Sequence, residues 1–473
     1  MKISIQKGSI DKAPQGFVRV QLTDKPTGTV RFITDKGTET LLIGVGKPSE
    51  MNLRKFILLC RCIVITAKSH KIKKIAIQFD TQPELFKNLQ GTTPEHISQL
   101  AAENFEMANF EFNRFKTKPK EGWSEVEEIV SYSRSSLGVE KAVKKGQEIG
   151  RAVNACRALA NTPGGDMTPT LLAKAAKEAA QGLPIKITVL GEKEMKKLGM
   201  GALLGVTKGS SEKPTFTIME YRGASSKPMV LVGKGVTFDS GGLNIKTSGS
   251  MYEMHMDMSG AAAALHTVVL AARLKLKKHV IALLPAVENM PGIGAYRPGD
   301  VLKSMSGKTI EVLDTDAEGR LILADALTYA KRCKPAVVID IATLTGAVVS
   351  ALGLYASGLL TRDDSLAKEL LEAGENSGDY AWRLPLWDEY EPRVKGTFAD
   401  LKNVPGGATS RYGGAIDGGM FLWQFAKELD CPWAHLDIAS RMTAAPGDNL
   451  AEGAAGAPVR LLTRFIETWH DAR

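Results

Sequence analysis

The chain has 473 residues, 44% of them apolar and 24% charged, the balance of an ordinary folded protein, which excludes disorder, collagen and coiled coil. The length allows about two to four domains and a core large enough to need no disulfide staple. Lys and Arg number 61 against 52 Asp and Glu, a net charge of +9, so the first question is whether the chain has an acidic partner, nucleic acid or membrane.

The charge is uneven. Residues 1–150 hold 24 basic and 17 acidic side chains, a net of +7, and residues 151–473 hold 37 and 35, a net of +2. The excess lies in runs such as 68–74 and 114–120, which read first as solvated surface. DNA binding is the sharper alternative, but no helix-turn-helix, zinc or RNP pattern accompanies the runs. The five cysteines (Cys60, Cys62, Cys156, Cys333 and Cys431) form no CxxC pair, so a reducing, cytoplasmic setting is expected. No apolar h-region follows Met1 and no signal peptide is expected. The long weakly charged stretch 336–360 is interrupted by Asp340 and by Thr343, Thr345 and Gly346. It reads as a buried strand followed by a helix, not as a membrane span.

Along residues 1–135, β-rich runs (17–22, 40–45, 74–79) alternate with helical ones (53–66, 93–112), a small α/β unit. A Pro- and charge-rich segment, 116–128, follows. Apolar residues at helical spacing over 139–160 read as a linker helix, beginning near 136 and stopped by Asn161-Thr162-Pro163-Gly164-Gly165. The expected domains are therefore 1–150, an N-terminal α/β domain, and 151–473, a larger α/β domain that carries the chemistry. In the latter, strands are expected over 186–190, 215–221, 228–233, 279–287, 309–313 and 336–341. Helices are expected over 170–180, 254–274, 318–332 and 419–429. The alternation predicts a mainly parallel central sheet flanked by helices, with the site beyond the carboxyl ends of its strands.

Two strand ends stand out. Gly233-Lys234-Gly235-Val236-Thr237-Phe238-Asp239-Ser240-Gly241-Gly242 follows the 228–233 strand, with Lys246 beyond it and Asp257 early in the next helix. Asp314-Thr315-Asp316-Ala317-Glu318-Gly319-Arg320 follows the 309–313 strand. Converging carboxylates repel one another and their pKa values rise unless a cation neutralises them. Oxygen ligands suit Mg²⁺, Mn²⁺ or a hydrolytic Zn²⁺. Four carboxylates exceed what one catalytic ion takes, so two ions with a bound water as nucleophile are expected. His255, two residues before Asp257, would not face the same way on a helix. Each motif also has a bland reading. Thr315 to Glu318 is a capping box, Asp239 suits a turn, and Gly233-Lys234-Gly235 is not a phosphate loop because its spacing fails.

Together these residues resemble the leucyl aminopeptidase (cytosol aminopeptidase) family. The resemblance runs over about 150–473 and includes Asn161-Thr162-Pro163, the 340–347 run Asp-Ile-Ala-Thr-Leu-Thr-Gly-Ala and the 433–439 run Trp-Ala-His-Leu-Asp-Ile-Ala. It implies a two-metal aminopeptidase (Zn²⁺ or Mn²⁺) that releases N-terminal, leucine-like or broadly apolar residues by attack of a metal-bridging water. By that resemblance Lys234, Asp239, Asp257 and Glu318 hold the tighter ion, and Asp239, Glu318 and Asp316 the exchangeable one. Lys246 polarises the carbonyl, and Arg320 holds a bicarbonate that shuttles the proton. Asp257 meets the substrate amine, Thr343, Leu344 and Gly346 align the peptide, and Met254, Ala439 and Met442 line a pocket for the first side chain. The resemblance also implies a homohexamer acting on peptides with a free N-terminus, with no membrane role.

The chain departs from the pattern in three places. Asp314 stands where Asn is usual, Ser440-Arg441 follows the 433–439 run where Gly is usual, and the 413–419 run is richer in Gly and acid. A second class of function is DNA binding through the basic N-terminal domain. A third, a glycosyltransferase using Asp314-Thr315-Asp316 as a metal–nucleotide motif, leaves Lys234, Lys246 and Arg320 unexplained.

Overall fold

The computed structural model describes the chain except residues 36, 80–88, 90–91, 134–137, 248, 408–411 and 471–473. Its residues divide into two compact units, Met1–Asn154 with Pro446–Glu452, and Ala155–Ala445 with Gly453–Arg473.

In the first unit, alternation in Val18-Arg19-Val20-Gln21-Leu22 buries Val18, Val20 and Leu22 on one face, the period of a half-buried strand. Six strands form its sheet: β1 (Lys2–Lys7), β2 (Val18–Thr23), β3 (Val30–Asp35), β4 (Thr38–Gly44), β5 (Lys74–Gln78) and β6 (Glu128–Ser133). Their order is β1-β6-β5-β2-β4-β3, parallel except for the β3–β4 pair. β1, β3 and β6 were not expected; β3 is almost wholly exposed, so it shows no buried alternation. The helices Leu53–Ser69 and Pro94–Asn109 start at capping side chains, Asn52 accepting from Lys55 N and Thr93 from His96 N. The helix Val139–Ala160 approaches Pro94–Asn109 so closely that a Cβ at Gly146 would lie 2.2 Å from Gln99 O. The expected start of this helix, near 136, lies outside the described residues.

The second unit is built on a nine-stranded sheet. Its strands are β7 (Ile185–Leu190), β8 (Thr215–Arg222), β9 (Met229–Gly233), β10 (Gly235–Asp239), β11 (His279–Asn289), β14 (Val337–Ala342), β15 (Ser357–Leu360), β16 (Ala381–Arg383) and β18 (Trp433–Asp437). The order is β16-β15-β18-β14-β9-β11-β8-β7, with β10 pairing on the far end of β11. The central pairs β18–β14, β14–β9 and β9–β11 are parallel, while β8 and β15 run antiparallel to their central neighbours. Central strands such as Val337–Ala342 are buried at every residue, as a sheet covered on both faces requires. The 336–360 stretch is β14, the helix Gly346–Leu352 and β15. No helix among the described residues is long and apolar enough to cross a membrane.

Four expectations need correction. The 309–313 strand is only β13 (Thr309–Glu311), and it lies in a separate three-stranded sheet with β12 (Val301–Lys303) and β17 (Leu401–Lys402). The chain does not leave the sheet where the 228–233 strand was expected to end, because Gly235–Asp239 forms β10. The 254–274 helix breaks into a 3-10 turn, Met254–Met256, and a helix, Ser259–Arg273, so Asp257 sits at the break. Apolar periodicity continues through the break and hides it. The last helix expected, 419–429, spans Gly414–Ala426.

Candidate metal centre

The site forms where β9 passes into β10 and meets the segment between β13 and the helix Gly319–Ala330. Lys234, between β9 and β10, is 3% exposed. Its Nζ donates to Thr343 O at 2.8 Å and lies 2.8 Å from both Asp257 Oδ2 and Glu318 Oε1. The space for it comes from glycine: a Cβ on Gly319 would stand 2.6 Å from that Nζ. Lys246 Nζ lies 2.8 Å from Asp239 Oδ2 and 2.5 Å from Asp316 Oδ1. Oxygens of Asp239, Asp316 and Glu318 fall within 4.8 Å of one another, the group able to hold a metal ion.

Asp257 stands beside Lys234, outside that trio, with Oδ1 accepting from Thr343 Oγ1 at 2.6 Å. Asp314 is also outside it; its Oδ1 accepts from Asp316 N at 2.9 Å. His255 belongs to the 3-10 turn, not to an α-helix. The capping box does not form. The helix begins at Gly319, with Glu318 at its cap, and Thr315 Oγ1 donates to Gly241 O at 2.7 Å and accepts from Asn244 N at 2.8 Å.

Burial pushes the carboxyls up. Asp316 rises to about 7 through burial and then Asp239 and Glu318, against the pull of Lys246. Glu318 rises through burial and Asp239, and Asp257 rises well above its ordinary range through burial, partly offset by Lys234. Burial alone would discharge Lys234, but Asp257, Glu318 and Asp239 outweigh it and hold the ammonium above its usual value. Lys246 is held up in the same way, chiefly by Asp239. The donor set fits a divalent cation. Asp257 Oδ2 and Glu318 Oε1 are neutralised by the Lys234 ammonium, both at 2.8 Å, and Asp316 Oδ1 by that of Lys246 at 2.5 Å. Among the described residues these three oxygens have no other donor. An oxygen whose partner is an ammonium alone can exchange it for a metal ion without stripping a main-chain donor.

Arg320 is buried; Nη1 donates to Asn403 O and Nε has no partner among the described residues. Leu344 N donates to Asp437 Oδ1 at 3.1 Å, and Gly346 opens the helix Gly346–Leu352. Met254, Ala439 and Met442 are half-buried. The departures find partners. Ser440 Oγ donates to Ala356 O and Arg441 Nη1 to Leu354 O, and Asp417 binds Arg393 through both carboxylate oxygens, at 2.6 and 2.8 Å. Gly418 is closely packed, since a Cβ there would lie 3.0 Å from Leu344 Cδ2 and the leucine would have to give by a few tenths of an ångström.

Sequence reasoning passed over Asn289, Tyr296, Asn244 and Asn403. Asn289 Nδ2 donates to Asp239 Oδ1 and Thr315 O, and Tyr296 OH to the same carbonyl. Asn403 Oδ1 accepts from Leu313 N. A signal existed for Asn289, which closes β11 and so sits at a third strand end.

Carboxylates gathered with basic groups at the end of an α/β sheet are the equipment of a metal-dependent hydrolase. Residues 154–463 match the cytosol aminopeptidase family's catalytic domain and 20–119 its N-terminal domain. A probable cytosol aminopeptidase of Methylobacillus flagellatus is 40% identical over 98% of this chain and 94% of its own length. One from Roseiflexus castenholzii is 43% identical over 91% and 87%. Among solved structures, the bottromycin maturation enzyme BotP in complex with Mn is 30% identical with a TM-score of 0.85, covering 96% of this chain and 99% of that one. A mutant of tomato leucine aminopeptidase is 28% identical with a TM-score of 0.87, covering 99% and 96%. The chain belongs to the cytosol aminopeptidase family and is a metallo-aminopeptidase.

Proposed function

We propose that the chain removes N-terminal residues, leucine-like or broadly apolar, from peptides with a free amine, using two divalent ions (Zn²⁺ or Mn²⁺) per subunit. The observation that carries this is the trio Asp239, Asp316 and Glu318, interleaved with Lys234 and Lys246, which are the sole donors among the described residues to Glu318 Oε1 and Asp316 Oδ1. Lys234, which must give up its proton to ligate and would do so beside a dication, would hold one ion with Asp239, Asp257 and Glu318, and Asp239, Asp316 and Glu318 would hold the other. Bound there, the ions would supply Lewis acidity toward the scissile carbonyl and a nucleophilic water at neutral pH.

The chain's own groups do the rest. Lys246, an ammonium held charged by Asp239 and its neighbours, would bind the carbonyl oxygen as negative charge develops on it. Asp257, braced by Thr343 Oγ1, would take the substrate's ammonium group, which explains a requirement for a free N-terminus. Thr343, Leu344 and Gly346 would align the peptide. Met254, Ala439 and Met442 would receive the first side chain, and methionine's pliability favours broad preference. Arg320, with a buried Nε lacking a partner among the described residues, would hold a small anion such as bicarbonate for proton transfer. Family membership supports a cytoplasmic homohexamer, with residues 151–473 as the catalytic domain. No observation supports DNA binding by the basic N-terminal third.

The test is hydrolysis of leucine-p-nitroanilide by chelator-treated protein titrated with Zn²⁺ or Mn²⁺, beside the N-acetylated substrate. Activity should return with metal and spare the acetylated compound. Equal cleavage of both substrates would refute the amine requirement, and activity indifferent to metal would refute the centre.

A further inference from the structure

We propose that Asn289 is a positioning residue that selects which oxygen of Asp239 faces the cation and fixes the peptide that carries Asp316. The inference rests on the metal-centre reading above. β10 and β11 pair in parallel, and their register shifts between Val236 and Phe238, so Val236 faces Val287, Phe238 faces Glu288, and Asp239 faces Asn289. Thr237 is the extra residue. A bulge of this kind re-aims the side chains after it, because a one-residue shift inverts the alternation of a strand. It brings Asp239 opposite Asn289, at the last residue of each strand.

Asn289 is fully buried. Its Nδ2 donates to Asp239 Oδ1 at 2.8 Å and to Thr315 O at 2.9 Å. The reverse amide orientation would set its oxygen against a carboxylate and a carbonyl, so chemistry assigns the nitrogen to this side. Gly241 N also donates to Asp239 Oδ1, at 2.9 Å. Two donors thus occupy Oδ1, and Oδ2 is the oxygen turned to Lys246. The 315–316 peptide is gripped at both ends. Its carbonyl accepts from Asn289 and from Tyr296 OH at 2.7 Å, and its N–H donates to Asp314 Oδ1.

The arrangement has a cost that packing does not explain. Asn289 Oδ1 is buried with no partner among the described residues, a penalty native proteins keep where something else needs the group. Gly242 makes room for it: a Cβ there would stand 2.8 Å from that Oδ1, and its φ of +64° suits glycine. One amide therefore ties together the two segments that supply Asp239 and Asp316. Removing it should loosen the ion that uses both carboxylates more than the other.

Metal-stripped wild type, Asn289→Leu, Asn289→Ser and Tyr296→Phe are titrated with Mn²⁺ by calorimetry, with melting of the stripped proteins followed in parallel. The Asn289 variants should raise the Kd of the weaker Mn²⁺ site about 10–100-fold, the usual effect of losing a group that orients a ligand. Tyr296→Phe, which keeps both amide bonds, should raise it clearly less. Should Asn289→Leu fail to fold, Asn289→Ser decides. Unchanged Mn²⁺ affinity in a folded Asn289 variant, or an equal loss in Tyr296→Phe, overturns the inference. Wild type that takes up no Mn²⁺ overturns the metal-centre reading itself.

Discussion

Two sets of buried acids lie in the second unit, and they are handled in opposite ways. Asp325, Asp340 and Asp437 are fully buried, and both oxygens of each are bonded. Asp325 accepts from Leu203 N and Met305 N. Asp340 accepts from Trp433 Nε1 and pairs with His435 Nδ1, and Asp437 accepts from Leu344 N, Ala439 N and Thr345 Oγ1. Asp257, Asp316 and Glu318 instead each keep an oxygen whose partner among the described residues is a lysine ammonium alone. Burial alone does not separate a structural acid from a functional one, since Asp325 and Asp316 are both pushed to about 7. Among these six acids the number of fixed donors does, while Asp239 lies between the sets, with two fixed donors on Oδ1 and Oδ2 turned to Lys246.

The sharpest way to break that contrast is to remove one acid from each set. Asp325→Ala leaves the buried Leu203 N–H and the partly buried Met305 N–H unpaired, at about 1–3 kcal/mol for each fully buried group, so denaturant melts should show a loss of about 2–4 kcal/mol. Asp316→Asn removes no fixed donor's partner. Stripped of metal, that variant should lie within about 1 kcal/mol of wild type, a change of the size seen at sites without a fixed network, while Mn²⁺ uptake and turnover collapse. Large destabilisation by Asp316→Asn, or none by Asp325→Ala, would erase the distinction. Next in size, Lys246→Ala should lower kcat about 10²–10³-fold, the usual loss for one oxyanion partner, with metal still bound by calorimetry. Full activity would take Lys246 out of the site.

The functional set was more legible in the sequence than the structural one, for a physical reason. Asp239-Ser240-Gly241-Gly242 and Asp314 to Arg320 pack several chemical groups into short strings, and those strings stay together in space. Asp325 lies inside an apolar helix, and its partners are main-chain groups more than a hundred residues away at Leu203 and twenty away at Met305; no pattern of side chains announces such a bond. The break at Asp257 was hidden for a related reason. Apolar spacing runs on from Met254 to Leu274, while the backbone turns at Asp257; just beyond the turn, Gly260 packs where a Cβ would lie 2.1 Å from Ile341 O. The placement of β13 in a second sheet was equally unreadable, since a three-residue strand carries too little alternation to name its neighbours.

The last and smallest test concerns the structural set alone. His435 is fully buried. Burial pulls its pKa down, but the charge and hydrogen bond of Asp340, helped by Asp437, outweigh burial and the nearby Arg320 and hold it above 6.5. A histidine whose folded pKa is raised adds stability that is complete below its unfolded pKa, near 6.5, and is lost as pH rises through the folded value. Each unit of elevation corresponds to about 1.4 kcal/mol. In denaturant melts of metal-stripped protein from pH 6 to 9, wild type should therefore lose stability relative to His435→Gln as pH rises. The difference isolates His435, because the metal-centre carboxylates titrate alike in both proteins. A difference that stays flat across this range would mean that Asp340 holds a neutral imidazole. The Asp340–His435 contact would then be one more hydrogen bond of the kind that holds Asp325, not an ion pair.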